Sequence, residues 1–259
     1  MDQLGDERVH RPSGVGRVVG PTEISAQLAA RGIALFQGVE GASHLLEVAQ
    51  TLGSIVPHPD GDENGVTVIA ERRERALDAM SAGFSRAALE PHTDRANLTI
   101  PPALLLTLCT VSAVGGESTF ADGAVVHRTL ASHDPLALQA LCRPDAVSYG
   151  RTHVYTGPVF EPVGHEPRMR LRLWPKEAGR FSPEAESALA PLHRAIATAV
   201  MTVQLEAGQG YVVDNHRWLH GRRSFTGDRV MLRIGVRPLR SAELRTGIAS
   251  PAAQGADRG

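Results

Sequence analysis

Residues 211–239 read YVVDNHRWLHGRRSFTGDRVMLRIGVRPL. A short apolar run ends at Asp214-Asn215, a polar cluster around His220 and Gly221 follows, and DRVMLRIGVRPL then alternates apolar and polar residues. A period of two marks a half-exposed β-strand. Just upstream, TVQLEAGQGYVVDN (202–215) reads as a hairpin with Gly208 and Gly210 in its turn. A helix from Ser182 or Glu184 to about Val200 precedes it. RMRLRLWP (168–175) alternates as strictly as the final strand. A strand-rich second half of this kind predicts an antiparallel sandwich or barrel, not a βαβ array. No glycine-rich phosphate loop is present.

Working outward, PTEISAQLAARGIALFQGV (21–39) reads as a helix and then a strand, with Thr22 as its cap and Gly32 as its end. ASHLLEVAQTLGSIVPHP (42–59) gives a second helix that stops at Gly53. GVTVIAE (65–71) has strand composition. ERRERALDAMSAGFSR (71–86) reads as a polar, mobile stretch. PPALLLTLCTVSAV (101–114) fits a buried strand ended by Gly115-Gly116. DGAVVHRTLASHDPLALQALCRP (122–144) reads as two short helices broken at Pro135. There is no internal repeat. Residues 1–20 and 241–259 read as poorly ordered ends, which leaves one domain over 21–240.

The chain has 259 residues, a formal charge of -1, 42% hydrophobic and 21% charged residues. That length supports a sizeable core. Without a basic excess, nucleic acid is not an expected partner. No apolar run approaches the ~20 residues that span a bilayer, and the first residues lack a secretory signal pattern. Two cysteines without CxxC spacing do not form a disulfide framework or a zinc knuckle. These features predict a cytoplasmic protein that meets a small molecule and not a membrane; a homo-oligomer stays open.

The chemistry is carried by EPHTDRANL (90–98). On an extended segment residues i and i+2 face the same side, so His92 and Asp94 can reach one metal ion. By itself the triplet is a weak signal, more often just two polar residues beside a strand. His220 changes the balance: two imidazoles and one carboxylate are the facial ligand set of non-haem iron(II) oxygenases, with positions left open for a bidentate cosubstrate and O2. Arg229 and Arg233, four apart on the final strand, face one way. A guanidinium fork suits a carboxylate; the plainer alternative is a pair of solvated strand residues.

PHTDRANL, GGESTFAD (115–122), DNHRWLHGR (214–222) and RVMLR (229–233) resemble, in order and rough spacing, the taurine-dioxygenase-like family of Fe(II)/2-oxoglutarate-dependent oxygenases, which includes clavaminate-synthase-like enzymes. The resemblance runs from about residue 20 to 238. It implies an α+β fold with a mainly β core, a double-stranded β-helix (jelly roll) flanked by helices. It implies that His92, Asp94 and His220 bind Fe(II) and that Arg229 pairs with the distal carboxylate of 2-oxoglutarate. Ser118 touches the same carboxylate in this reading, or Thr119 if the register shifts by one. Arg233 resembles a second arginine that meets the cosubstrate or a substrate anion, and Gly115-Gly116 turns the strand that carries Ser118. Halogenating relatives replace the metal-binding carboxylate by a small residue; Asp94 argues here for oxygen transfer, or for desaturation or ring closure.

The implied reaction consumes O2 and 2-oxoglutarate, releases succinate and CO2, and hydroxylates an unactivated C–H bond. Residues 78–91 (DAMSAGFSRAALEP) fall where the family builds part of the substrate pocket and lid. Candidate substrate contacts are Arg86, Glu90, Asn97, Arg172 and Trp218, each weighed against a surface or core role. By strand parity Glu90 faces the metal and Asn97 faces away. Arg168, Arg170 and Arg172 share one side of a strand, read mainly as a solvated face. Low aromatic content, 4%, and the family point to a small polar substrate such as an amino acid or derivative, in secondary metabolism or nutrient scavenging. Two readings compete: a jelly-roll binding or sensing protein without turnover, and a zinc hydrolase on the same ligands with Glu90 as general base.

Overall fold

The computed structural model describes residues 18–72, 83–150, 154–163, 168–174, 179–239 and 244–249. Much of the 71–86 stretch, with residues 78–82 of the expected lid, lies outside these residues, as do His153 and most of both chain ends.

Two antiparallel sheets face each other. The larger contains β1 (Ile33–Gln37), β2 (Gly53–Val56), β3 (Thr67–Ile69), β5 (Leu104–Val111), β14 (Gln209–Asp214) and β17 (Val230–Pro238). Its order is β1-β14-β5-β17-β2, with β3 also against β17. The smaller contains β4 (Leu89–His92), β7 (Ser118–Asp122), β13 (Val200–Val203) and β15 (Trp218–Arg222), in the order β13-β7-β15-β4. Three minor sheets join β6 (Val114–Gly115) to β16 (Phe225–Thr226); β8 (Val147–Tyr149) to β9 (Tyr155–Gly157) and β12 (Gly179–Phe181); and β10 (Phe160–Pro162) to β11 (Arg168–Leu171) and β18 (Ile248–Ala249). The helices are α1 (Ile24–Arg31), α2 (Gly41–Leu52), α3 (Gly123–His133), α4 (Pro135–Leu141), α5 (Pro183–Ser187) and α6 (Leu189–Ala199).

The unbroken apolar run of β5 follows from this layering. Leu104, Leu106 and Leu108 pack outward with Ile24, Leu28, Leu45 and Leu52 of α1 and α2. Leu105 and Cys109 point inward and meet Phe120 and Trp218 of the smaller sheet, with Ile33, Tyr211 and Met231. A strand covered on both faces reads as continuous hydrophobics instead of alternating ones. Beyond the smaller sheet, Val126, Leu130, Leu192 and Ile196 form a further core with Ala121 and Leu219. No described helix is long and apolar enough to cross a membrane.

Three local expectations are corrected. The 202–215 segment is not a hairpin: β13 pairs with β7 in one sheet and β14 with β1 and β5 in the other, so the chain crosses between sheets. Gly208 lies in the connecting turn, whereas Gly210 is within β14, opposite Leu108. Thr22 does not cap α1, whose N-cap is Glu23 without a side-chain bond, although Gly32 ends the helix at φ 71°. The helix after Ser182 is two helices. Ser182 caps the first, and the break at Ala188 precedes Pro191, whose ring clashes with the carbonyl four residues back.

Candidate active site

β4 lies antiparallel to β15 with His92 directly opposite His220. The two rings stand 4.5 Å apart between centroids. One potential ligand atom from each of His92, Asp94 and His220 lies within 4.8 Å of the others, and all three residues are buried. His92 Nδ1 is 2.9 Å from the Glu90 carbonyl. A carbonyl only accepts, so Nδ1 carries the proton and Nε2 is left as the ligand atom. His220 Nδ1 is buried with no hydrogen-bond partner among the described residues. A close approach of β15 to β4 sets the pair: a side chain at Gly221 would place Cβ 2.4 Å from the Leu89 carbonyl oxygen.

The protonation states match a metal site. Burial, with the neighbouring His92, takes His220 down to about 3. Burial likewise lowers His92. Both rings are therefore neutral donors at pH 7. Burial opposes ionisation of Asp94, but Arg233 and the adjacent imidazoles outweigh it and keep the carboxyl below its usual range. Arg233 Nη1 donates to Asp94 Oδ1 at 3.0 Å. Two neutral nitrogens, one anionic oxygen and an unpartnered buried ring nitrogen fit a divalent transition-metal ion.

Arg222, Arg229 and Arg233 line one cavity with His92, His220, Ser118, Thr107 and Tyr211. Arg233, Thr107 and Tyr211 form a row across the inner face of the larger sheet, from β17 through β5 to β14. Arg229 forms no salt bridge among the described residues, and burial lowers its pKa. Its aliphatic stem passes Gly116 (φ 73°), where an added Cβ would lie 3.1 Å from Arg229 Cδ. Burial and the nearby Arg229 take Arg222 down to about 10. Arg222 donates to the carbonyls of Ser85 and Ala87, which ties the segment before the HTD motif to β15. Such a concentration of positive charge suits a dicarboxylate. On β7, Ser118 is paired with Arg222 and Phe120 with His220, which puts both on the inner face; Thr119 pairs with Gly221 and faces the other way. Ser118 lines the cavity and Thr119 does not.

The substrate-contact expectations fare differently. Glu90 does not face the metal ligands. The register shifts between the His220 and Arg222 pairings, so Leu89 and His92 both lie opposite β15 residues of the inner face. This β-bulge breaks the parity rule. Glu90 instead borders a second, apolar cavity with Pro91, Leu173, Trp174, Phe181 and Ile196. Arg86 pairs with Glu71 at 2.9 Å at the surface. Asn97 is half-buried in the turn after Asp94 and does not line the metal-side cavity. Trp218 is a core residue whose Nε1 donates to the Arg31 carbonyl.

Arg172 is neither solvated nor a cavity residue. It is 1% exposed. Nε donates to Glu161 at 2.7 Å, Nη1 to the carbonyls of Ala96 and Leu98, and Nη2 to that of Thr99. Its plane stacks over Tyr155. Arg170 shares Glu161, and Arg168 holds the carbonyls of Arg245, Thr246 and Gly247. The alternating strand put three arginines on one side correctly, but tertiary structure covers that side.

The cavity wall includes Thr107, Tyr211 and Arg222, which the sequence does not nominate, and two further unexpected residues act beside it. His58 Nε2 lies 3.2 Å from Arg233 Nη2. Asn215 contacts the backbone of Asp94. His58 lies far from any ligand motif, and Asn215 stands inside DNHRWLHGR as a residue type that does not mark a metal ligand.

The family description "Taurine catabolism dioxygenase TauD, TfdA family" matches residues 17–234. Gamma-butyrobetaine dioxygenase of Pseudomonas sp. (strain AK-1) is 28% identical over 183 residues, 64% of this chain and 48% of that enzyme. The chain thus spans about half the length of that relative. Among solved structures, asparagine oxygenase in complex with Fe(II), 2S,3S-3-hydroxyasparagine and succinate superposes with a TM-score of 0.69 at 18% identity, covering 89% of this chain and 83% of that one. The non-haem iron oxygenase OrfP with Fe and alpha-ketoglutaric acid gives 0.65 at 19%, covering 89% and 83%. PvcB from Pseudomonas aeruginosa gives 0.64 at 20%, covering 87% and 83%. These likenesses show the double-stranded β-helix fold.

Proposed function

From the premise that this chain belongs to the TauD/TfdA family, we propose that it is an Fe(II)/2-oxoglutarate-dependent oxygenase that hydroxylates a C–H bond of a small, amino-acid-like substrate. One observation carries the reading: His92, Asp94 and His220 converge beside a cavity whose half-buried Arg229 has no salt-bridge partner among the described residues. His92, Asp94 and His220 hold the metal; Arg229 and Ser118 receive the distal carboxylate of 2-oxoglutarate. When bound, iron and 2-oxoglutarate supply the oxidising chemistry: O2 and 2-oxoglutarate are consumed, one oxygen atom enters the substrate, and succinate and CO2 leave.

The chain's own residues fix geometry and charge. His92 is held as the Nδ1–H tautomer by the Glu90 carbonyl. Arg233 keeps Asp94 ionised and offers a second cationic contact to cosubstrate or substrate anion. The asparagine oxygenase and OrfP structures hold hydroxylated amino acids, which supports an amino-acid-like substrate. The free thiols of Cys109 and Cys142 agree with a reducing, cytoplasmic setting, and residues 21–240 serve as one catalytic domain. The zinc-hydrolase reading loses its general base, because the bulge sets Glu90 against the other cavity. The test is succinate formation from 2-oxoglutarate with Fe(II) and O2, screened for stimulation by free amino acids, their derivatives and sulfonates, with mass spectrometry of the product. No succinate under any condition would leave a binding protein.

A further inference from the structure

Asn215 follows the last residue of β14 and is 1% exposed. Its Oδ1 accepts the Asp94 backbone N–H at 2.7 Å. Its Nδ2 donates to the Asp94 carbonyl at 3.0 Å and to the Pro102 carbonyl at 2.9 Å. The amide thus grips both polar backbone groups of one residue, and that residue supplies the site's carboxylate. The chain does not hold this shape by local preference. Arg95, next along, has φ 55°, in the left-handed region. A non-glycine residue there is disfavoured and persists when its surroundings enforce it. Asn215 is itself fixed: its N–H donates to the Ala103 carbonyl at 2.9 Å, and Asp214 before it pairs with Leu104.

The residue type is specific to the task. One acceptor and two donors are needed on a planar group. Aspartate would turn an acceptor toward two carbonyls, and an aliphatic side chain would leave three buried backbone groups unpaired. We propose that Asn215 is the positioning residue of the metal site, setting the Asp94 carboxylate against the two imidazoles through the Asp94 backbone. The proposal rests on the metal-site reading above. It implies that Asn215 acts on metal binding beyond its share in folding.

Anaerobic Co(II) titration of the full chain tests this, reading dissociation constant and d–d absorption, beside thermal unfolding of the metal-free protein. Asn215→Ala is expected to weaken Co(II) binding about 10- to 100-fold, the usual range for partners that orient metal ligands, and to shift the d–d bands. Asn215→Ser, which keeps one acceptor and one donor, is expected to fall between. Leu192→Ala, in the core beyond the smaller sheet, serves as a destabilised control with unchanged affinity and spectrum. Asn215→Ala binding Co(II) as wild type does, with the same spectrum, overturns the proposal. So does an equal loss in Leu192→Ala, or failure of both Asn215 variants to fold, since the amide would then serve the fold at large. A different result, His220→Ala binding Co(II) as tightly as wild type, removes the metal site itself.

Discussion

The imidazoles of His92 and His220 stand 4.5 Å apart because their backbones are directly opposed on β4 and β15. Residues 128 positions apart become neighbours through one antiparallel register. Cross-strand pairing holds ring positions more firmly than a loop does. Asp94 lies two residues past His92, where the strand has ended and Asn215 and Arg233 take over its placement. Asp94→Ala and His220→Ala are therefore expected to abolish metal-supported succinate formation while leaving most of the fold, read by circular dichroism, in place. Full turnover in either variant means the ligands have been misassigned.

The bulge in β4 gives a second expectation. Glu90 borders the apolar cavity with Trp174 and Phe181 and is exposed. Its side chain belongs neither to the metal-side cavity nor to the ligand set, so Glu90→Gln should leave turnover close to that of wild type. A drop of two orders of magnitude in kcat would restore Glu90 as a general base, and with it a hydrolytic reading.

What the sequence made legible, and what it did not, follows from which rules are local. The HTD triplet, His220 and the arginine pair were readable because side-chain chemistry and order suffice to nominate them. Glu90 was misplaced because parity holds only in a regular strand, and a bulge leaves no clear mark in LEPH. The 202–215 hairpin failed for a related reason: two strands joined by a glycine-containing turn look alike whether they pair with each other or cross between sheets. Arg172 was read as solvated because an alternating strand does not reveal what covers its polar side. Asn215 and His58 act on partners 121 and 175 residues away, a distance that no short motif spans.

Arg229 provides a third expectation. Removing one side of a buried charge pair costs about 2–5 kcal/mol. Arg229→Ala should therefore raise the KM for 2-oxoglutarate roughly 30-fold or more, with a much smaller change in the KM for the amino-acid substrate. Steady-state kinetics with each component varied separately makes the comparison. An unchanged 2-oxoglutarate KM would move the anchor to Arg233 or Arg222, the other cationic groups of the cavity.

Arg172 should matter for stability in spite of its charge. It neutralises Glu161 and holds three carbonyls of the turn that follows Asp94. Arg170 still pairs with Glu161 when Arg172 is gone, so the cost is that of three carbonyls left without this buried donor, about 3 kcal/mol or more in all. Arg172→Leu is expected to lower urea-unfolding stability by about that amount. Arg172→Lys should recover little, because an ammonium cannot match the planar fork. A loss below about 1 kcal/mol, the range of an exposed pair, would mean the clamp is not formed in solution.

The metal-free protein should lose stability as the solution turns acidic. Burial, aided by Arg233, lowers His58 to about 4; burial, aided by Arg170, lowers His216 to about 3. His220 falls to about 3 and His92 is lowered as well, chiefly through burial. In the unfolded chain each ring titrates near 6.5. Between about pH 6.5 and 3 the unfolded chain therefore binds more protons, and folding stability drops as the pH is lowered. Asp214 works the other way: burial raises it to about 7, so its contribution is complete below about 3.9 and fades as pH rises through 7. Four imidazoles outnumber one carboxyl, so stability from urea titration should climb from pH 4.5 to 6.5 and level off or dip slightly near 7. A steady decline across pH 4.5–6.5 would show that these rings are charged in the folded protein, and a site of charged imidazoles does not bind a cation.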